Sequence, residues 1–183
     1  MTIQFPKNKK SITLIGMAGA GKTFIGRNLA AELGFEFINT DDIMIEKIMP
    51  LQDIVDKYGD QGFIEIEEKT ILGLGDIQNK IISPGGSIVY SPKIMDFLTA
   101  NSLIIYLHDT YEHIFGRVKN LETRGIVGLK DKDFKTLFAE REHLYKKYAD
   151  ITVDMSPMQT EDKEKKAAEV IAEIEKGFAQ LNA

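Results

Sequence analysis

The sequence contains no cysteine, and only four of its 23 basic residues are arginine. Without cysteine, disulfides, thiolate metal sites and cysteine nucleophiles are excluded. No apolar run approaches the ~18 residues that a membrane-spanning helix needs. The formal net charge of -5 argues against a nucleic-acid partner, because phosphate backbones require a basic surface. We therefore expect a cytoplasmic protein with no nucleic-acid or membrane partner.

The three histidines do not show the spacing of metal ligands. His108 and His113 are five residues apart, whereas a helical zinc pair is spaced by four. We expect these two, and His143, to be solvated surface residues.

Short apolar segments alternate with stretches of helical periodicity. This alternation is typical of a parallel sheet covered on both faces. We expect strands at residues 11–15, 35–38, 80–83, 103–107 and 151–154. We expect helices at residues 22–33, from 41 onward, and at 53–74, 92–100, 111–119, 133–148 and 161–181. The sequence thus predicts one three-layer α/β/α domain over residues 1–183, with a five-stranded parallel sheet.

Local signals add detail to this prediction. Gly59 and Gly62 are expected to break the third helix, and Ser91 is expected to cap a helix with proline at its first position. The polar, glycine-containing segment 120–131 is predicted to be a mobile lid. The closing helix should bury one apolar face, formed by Val170, Ile171, Ile174, Phe178 and Leu181.

A phosphate-binding motif lies between the first strand and the first helix. The sequence GMAGAGKT at residues 16–23 fits G-x-x-x-x-G-K-[ST]. Glycines let backbone N–H groups turn toward phosphate oxygens, and the helix N-terminus adds partial positive charge. A glycine-rich turn without a ligand is the alternative, but the flanking strand and helix favour a P-loop. The expected nucleotide-binding residues are Gly19, Ala20, Gly21, Lys22, Thr23 and Phe24.

The segment GMAGAGKTFIGRNLA at residues 16–30 resembles the opening of the shikimate kinases. Further matches to that family follow in order: Asn39-Thr40-Asp41, Glu67-Glu68, Pro84-Gly85-Gly86, Arg117, Arg124, and Arg141 before Leu144-Tyr145. The resemblance runs from about Phe5 to Asp154. All four arginines fall where the family has arginine, and arginine marks positions that need a planar cation with several donors.

The resemblance implies a P-loop kinase of the nucleoside-monophosphate-kinase-like fold that moves the γ-phosphate of ATP to a hydroxyl of shikimate. Lys22 would hold the β- and γ-phosphates, and Thr23 would ligate Mg²⁺. Arg117 would pack against the adenine. Arg124 would close with the lid over the transferring group. Asn39 would hold the metal weakly, through water.

On the acceptor side, the resemblance makes Asp41 the carboxylate that holds the attacking hydroxyl and accepts its proton. Helix capping by Asp41 is an alternative, and counting back from Ile45-Glu46 selects Asp42 instead. Arg141, Gly85 and Gly86 would contact the substrate.

Three positions depart from the family pattern. Asn39 stands where aspartate is usual, Ile64 replaces an arginine that clamps the shikimate carboxylate, and Gly125-Ile126-Val127 replaces Pro-Leu-Leu after the lid arginine. Two alternatives therefore stay open: a kinase for another small alcohol or hydroxy acid, and a nucleotide-binding protein that has lost transfer. In either case we expect a monomer.

Overall fold

The computed structural model describes residues 5, 9–118, 120–121, 124–158 and 160–181. Its centre is a five-stranded parallel sheet with the order β2-β3-β1-β4-β5. The strands are β1 (Ile12–Ile15), β2 (Glu36–Asn39), β3 (Lys80–Ser83), β4 (Leu103–His108) and β5 (Ile151–Asp154). In the middle of the sheet, Ile12 is in register with Ile81 on one side and Leu103 on the other. The expected parallel sheet is confirmed.

Seven α-helices occur in the described residues. They are α1 (Lys22–Leu33), α2 (Thr40–Lys47), α3 (Leu51–Leu72), α4 (Pro92–Asn101), α5 (Tyr111–Arg117), α6 (Phe134–Tyr148) and α7 (Lys163–Leu181). The predicted cap is present, since the Ser91 hydroxyl accepts the N–H of Ile94 at 3.2 Å and Pro92 follows. The Asp133 carboxylate similarly accepts the N–H of Thr136 at 2.7 Å.

The strand order determines which helices cover which face. The step from β1 to β2 runs opposite to the later steps across the sheet, and parallel crossovers are right-handed. Helix α1 therefore lies on one face, where it packs with α7, and α3, α4 and α6 lie on the other. Every residue of β1 is buried, as its continuous apolar pattern indicates.

Some local predictions were wrong. Gly62 is helical, and the only non-helical residue inside α3 is Gly59, with φ 67° and ψ -179°. On α7, Leu181 is exposed, while the other four residues of the predicted face are buried. The expected end of a helix at 119 and lid positions 122–123 lie outside the described residues.

The prediction of solvated surface histidines was wrong for His108, whereas the His113 side chain is 38% exposed. The ring of His108 lies 3.1 Å from both Glu142 and Asp154, and its side chain is mostly buried. His113 Nδ1 is 2.7 Å from the buried Asp109 carboxylate. Within the part of the chain that the structure covers, no three acidic, histidine or cysteine residues gather as a metal site. No helix there combines the length and apolarity needed to cross a membrane.

Candidate active site

The P-loop connects the carboxyl end of β1 to the N-terminus of α1. Gly21 caps the helix with φ 90°, a left-handed conformation that glycine adopts without strain. The Lys22 ammonium donates to the carbonyls of Gly16 at 2.8 Å and Met17 at 3.1 Å, so it lies inside the curve of the loop. The pKa of Lys22 is lowered to about 8, chiefly by burial and also by the Arg141 charge, although the carboxyl groups of Asp41 and Glu67 favour the charged form.

A cavity of about 570 Å³ opens over this loop. It brings together the P-loop, the start of α2, the end of α5 and the lid. Eight predicted site residues line it: Gly19, Gly21, Lys22, Thr23, Phe24, Asp41, Arg117 and Arg124. Ala20, Asn39, Gly85, Gly86 and Arg141 are not among the lining residues. The cavity therefore unites the nucleotide-side residues with Asp41, and the remaining acceptor residues lie behind it.

Asp41, rather than Asp42, faces the cavity. One oxygen of Asp41, Oδ1, is buried and has no hydrogen-bond partner among the described residues. Burial raises the pKa of Asp41, Lys22 opposes the rise, and Asp42 adds to it. The side chain of Asp42 is 60% exposed and lies 3.8 Å from Arg27 on the outer surface.

The residue that caps α2 is Asn39. Its side-chain oxygen accepts the N–H of Asp41 at 3.0 Å, so the capping role considered for Asp41 was wrong. Asn39 does not line the cavity, and its one acceptor oxygen is used in this cap.

The predicted acceptor residues adjoin Asp41 from behind. A Cβ atom on Gly85 would lie 2.5 Å from Glu67 Oε1 and 3.1 Å from Asp41 Oδ1, so this backbone lies directly against both carboxyl groups. A Cβ atom on Gly86 would lie 3.1 Å from Arg141 Nη1. The Tyr145 hydroxyl donates to the Gly86 carbonyl at 2.7 Å. Gly85 and Gly86 thus allow a close approach that larger residues would block.

Arg141 is almost fully buried behind these glycines. It donates to the carbonyl of Val127 at 2.7 Å and to the Tyr90 hydroxyl at 3.4 Å. Its guanidinium is 5.2 Å from the centre of the Tyr90 ring, a cation–π distance. Arg141 therefore supplies fixed positive charge at the rear of the site.

Sequence reasoning assigned no role to Glu67. This carboxyl group is fully buried, and its Oε2 accepts the Ser87 hydroxyl at 2.7 Å. Oε1 has no partner among the described residues. Burial raises the pKa of Glu67 to about 8, despite the Ser87 hydrogen bond. The sequence does contain a pattern that predicts burial of Glu67. This residue lies four positions from both Phe63 and Ile71, which form the buried face of α3.

The position of the family's clamping arginine is apolar in this chain. Ile64 packs against a small hydrophobic cluster, called here the α3 cluster. Its buried members are Met44, Ile54, Val55, Phe63 and Val127. Among the residues that the structure describes, Lys22, Arg117 and Arg124 line the cavity, and Arg141 adds positive charge behind it.

The two remaining arginines stand at the edge of the cavity. Arg117 ends α5, forms an ion pair with the buried carboxylate of Asp109, and donates from Nε to the His113 carbonyl at 3.0 Å. Arg124 is exposed and enters the cavity from the lid.

This geometry suits a nucleoside triphosphate with a divalent metal. P-loop N–H groups, Lys22 and two arginines form a cationic surface for phosphates. The Thr23 hydroxyl and the Asp41 carboxyl group offer oxygen ligands in the same cavity. Mg²⁺ is commonly held by one or two such protein oxygens together with phosphates and water.

Comparison with known proteins agrees with this arrangement. The family model described as shikimate kinase matches residues 18–175. The chain belongs to the shikimate kinase family. A curated shikimate kinase of Caldanaerobacter subterraneus subsp. tengcongensis is 31% identical over 176 residues, which cover 94% of this chain and 98% of that protein.

Solved structures extend the likeness to the fold. A shikimate kinase from Acinetobacter baumannii, in complex with shikimate, aligns with TM-score 0.79 and 25% identity over 92% of this chain and 94% of its own. Thymidylate kinase from Candida albicans aligns with TM-score 0.55 and 16% identity over 93% of this chain and 94% of its own. The second likeness concerns the fold alone and confirms the nucleoside-monophosphate-kinase-like architecture.

Proposed function

We propose that this protein transfers the γ-phosphoryl group of ATP to a hydroxyl of shikimate, which gives shikimate 3-phosphate and ADP. The observation that carries the proposal is the single cavity lined by Lys22, Asp41 and Arg124. These residues supply a phosphate-binding cation, a carboxylate for the acceptor hydroxyl and a cation for the transition state. Membership of the shikimate kinase family supports the choice of acceptor.

The proposed transfer proceeds in one displacement. The acceptor hydroxyl gives its proton to Asp41 while its oxygen forms a bond to the γ-phosphorus. The bond from that phosphorus to the β-γ bridging oxygen breaks, and ADP leaves. Burial raises the pKa of Asp41, which makes it a stronger base at neutral pH than a solvated carboxylate. Lys22 and Arg124 offset the negative charge that shifts to the oxygens of the transferring group.

The other residues have supporting roles in this proposal. Arg117 packs against the adenine, and Arg141 binds the carboxylate of the acceptor beside Gly85 and Gly86. Thr23 would hold Mg²⁺, which neutralises phosphate charge when bound. We also propose that residues 1–183 act as one domain, as a monomer in the cytoplasm, where ATP is available.

A kinase for another small hydroxy compound is the second candidate. The observation that favours it is Ile64, which offers no hydrogen bond at the place where the family clamps the acid. A hydrogen bond to a charged group contributes about 1.5–3 kcal/mol, so its absence weakens an acid by roughly tenfold to a hundredfold.

An acceptor panel separates these candidates. ADP release should be measured with shikimate and with sets of polyols, hydroxy acids and amino alcohols at matched concentrations. We expect the highest kcat/KM with shikimate. A better acceptor in another set would favour the second candidate, and no turnover with any acceptor despite ATP binding would leave only a nucleotide-binding role.

The Ile64→Arg variant tests the acceptor from the enzyme side. If shikimate is the substrate, the new guanidinium should lower the KM for shikimate by roughly tenfold, because it restores a charged hydrogen bond. Ile64→Met is the control, since it keeps an apolar side chain of similar size. An unchanged or higher KM in a folded Ile64→Arg protein would count against shikimate.

A further inference from the structure

The lid segment that follows Arg124 is held against α3 on both sides of the kink at Gly59. Gln52 and Asp56 lie one turn apart before Gly59, and Asp60 follows it directly. We refer to these three residues as the α3 ladder. The part of the lid that they contact is residues 125–130.

Each residue of the α3 ladder bonds a different lid residue. Gln52 Oε1 accepts the N–H of Gly125 at 3.0 Å, and Asp60 Oδ2 accepts the N–H of Gly128 at 2.7 Å. Asp56 Oδ1 accepts from the Lys130 ammonium at 3.0 Å and from the Gln52 amide, also at 3.0 Å. The lid backbone is therefore fixed at two N–H groups and one ion pair.

Packing reinforces these hydrogen bonds. Val127 inserts into the α3 cluster, and its carbonyl accepts from Arg141. Gly125 lies so close to Leu51 that a Cβ atom would come within 2.6 Å of its carbonyl carbon. Any larger residue would clash with backbone here. The glycine that departs from the family pattern is thus required by the way the lid lies on α3.

We propose that Gln52 is a positioning residue for phosphoryl transfer, acting through Arg124. The peptide group that joins Arg124 to Gly125 carries the N–H that Gln52 holds. Fixing this group fixes the direction from which the Arg124 side chain enters the cavity beside Lys22 and Asp41. The inference rests on the proposed function, because the position of Arg124 affects a rate only if a phosphoryl group is transferred.

The kinetic signature follows from where Arg124 acts. If its guanidinium binds charge that develops in the transition state, misplacing it lowers kcat and leaves KM nearly unchanged. Gln52→Ala should lower kcat by about three- to tenfold, which corresponds to the net free energy of one hydrogen bond. Gln52→Glu keeps an acceptor oxygen for Gly125 but sets a second carboxylate beside Asp56, so it should recover only part of the rate.

Gln61→Ala is the matched control for this series. Gln61 is exposed on the same helix, where its amide contacts Glu65 at 3.3 Å. We expect its kcat to equal that of the wild type. Equal losses of kcat in Gln52→Ala and Gln61→Ala, or a loss confined to KM, would overturn the proposal.

A double-mutant cycle tests whether Gln52 acts through Arg124. In an Arg124→Ala background, Gln52→Ala should cause no further loss of kcat, because the group that it positions is gone. The same three- to tenfold loss in both backgrounds would show that Gln52 acts by another route.

Trypsin cleavage gives a readout that needs no acceptor. The bond after Arg124 becomes accessible only when Gly125 leaves α3, so Gln52→Ala should be cleaved there about three- to tenfold faster than wild type or Gln61→Ala. Equal cleavage rates would overturn the inference. Faster cleavage in Gln52→Ala together with no turnover of shikimate would support the docking and overturn the proposed acceptor.

Discussion

At the scale of single residues, the site is dominated by charges buried at close range. Lys22, Asp41, Glu67 and Arg141 are each buried or nearly so, and each alters the titration of its neighbours. Such coupled, buried groups are typical of sites at which protons and phosphates are handled. The pKa values of Lys22 and Glu67 both lie at about 8, so the roles of these two residues can be tested by varying the pH.

The first prediction concerns Lys22 and ATP. Burial lowers the pKa of Lys22 to about 8, so about half of its ammonium groups have lost their proton at that pH and most have by pH 9. Because phosphates bind the charged form, we expect the Kd for ATP to rise about fivefold between pH 8 and pH 9. Calorimetric titration at several pH values measures this. Lys22→Met should bind weakly without that rise, and an equal rise in both proteins would contradict the assignment.

The second prediction concerns Glu67 and stability. Burial raises its pKa from 4.5 to about 8, so between these values the folded protein keeps a proton that the unfolded chain has lost. The free energy of unfolding of the wild type therefore falls as pH rises through this range. Glu67→Gln retains the contact with Ser87 and does not titrate. We expect its stability relative to wild type to increase from about pH 5 to pH 8 in denaturant unfolding.

Glu68→Gln is the control for the Glu67 experiment. Glu68 accepts from Ser91 at 2.6 Å and from Lys93 at 3.3 Å, and the Ser91 hydrogen bond holds its pKa below the ordinary value. The stability that ionised Glu68 contributes to the folded protein is fully present above about pH 4.5 and is lost only in more acid solution. Its stability relative to wild type should be flat between pH 5 and pH 8. A flat difference for Glu67→Gln as well would show that Glu67 titrates normally.

At the scale of elements, helix α3 contributes to the site twice, through its contacts with the lid and through the buried carboxyl group of Glu67. Gln52 and Asp56 in its first half and Asp60 at the start of its second half hold the lid, and the second half also presents Glu67 to the site. The two halves meet at Gly59, whose backbone conformation is accessible almost only to glycine. The kink therefore sets the angle between Gln52 and Asp56 on one side and the buried carboxyl group of Glu67 on the other.

The third prediction tests this kink. Gly59→Ala should destabilise the protein by about 1–3 kcal/mol, because alanine is strained at this φ and ψ. Thermal unfolding should show a fall in Tm of about 3–10 °C. Gly116→Ala is the control, since Gly116 is helical and a Cβ there meets nothing within 4 Å. It should be neutral or slightly stabilising, and a comparable loss in both variants would refute strain at Gly59.

Sequence patterns predicted the elements better than the details inside them. Ser91-Pro92 and the P-loop carry local signals, and both occur where expected. Gly59 and Gly62 look alike in sequence, yet only one leaves the helix, because the buried stripe of α3 continues through Phe63. A glycine permits a break in a helix, and tertiary packing decides whether it occurs.

At the scale of the whole molecule, the site depends on contacts between distant parts of the chain. The P-loop and the candidate catalytic residues followed from motif and family resemblance. The pairing of Asp41 with Glu67 across Gly85 did not, because it depends on how α2, α3 and the end of β3 meet. The contact between Gly125 and Leu51 likewise could not be predicted from sequence patterns, because it joins segments more than 70 positions apart.

The central claim is that the cavity at Lys22, Asp41 and Arg124 moves the γ-phosphoryl group of ATP to shikimate. Phosphorus NMR of a reaction with ATP, Mg²⁺ and shikimate follows that group directly. We predict that the γ-phosphate signal is replaced by those of ADP and a shikimate phosphate ester with wild type, and persists with a folded Lys22→Ala variant. Appearance of inorganic phosphate without the ester, or an equal yield of ester from both proteins, would contradict the account.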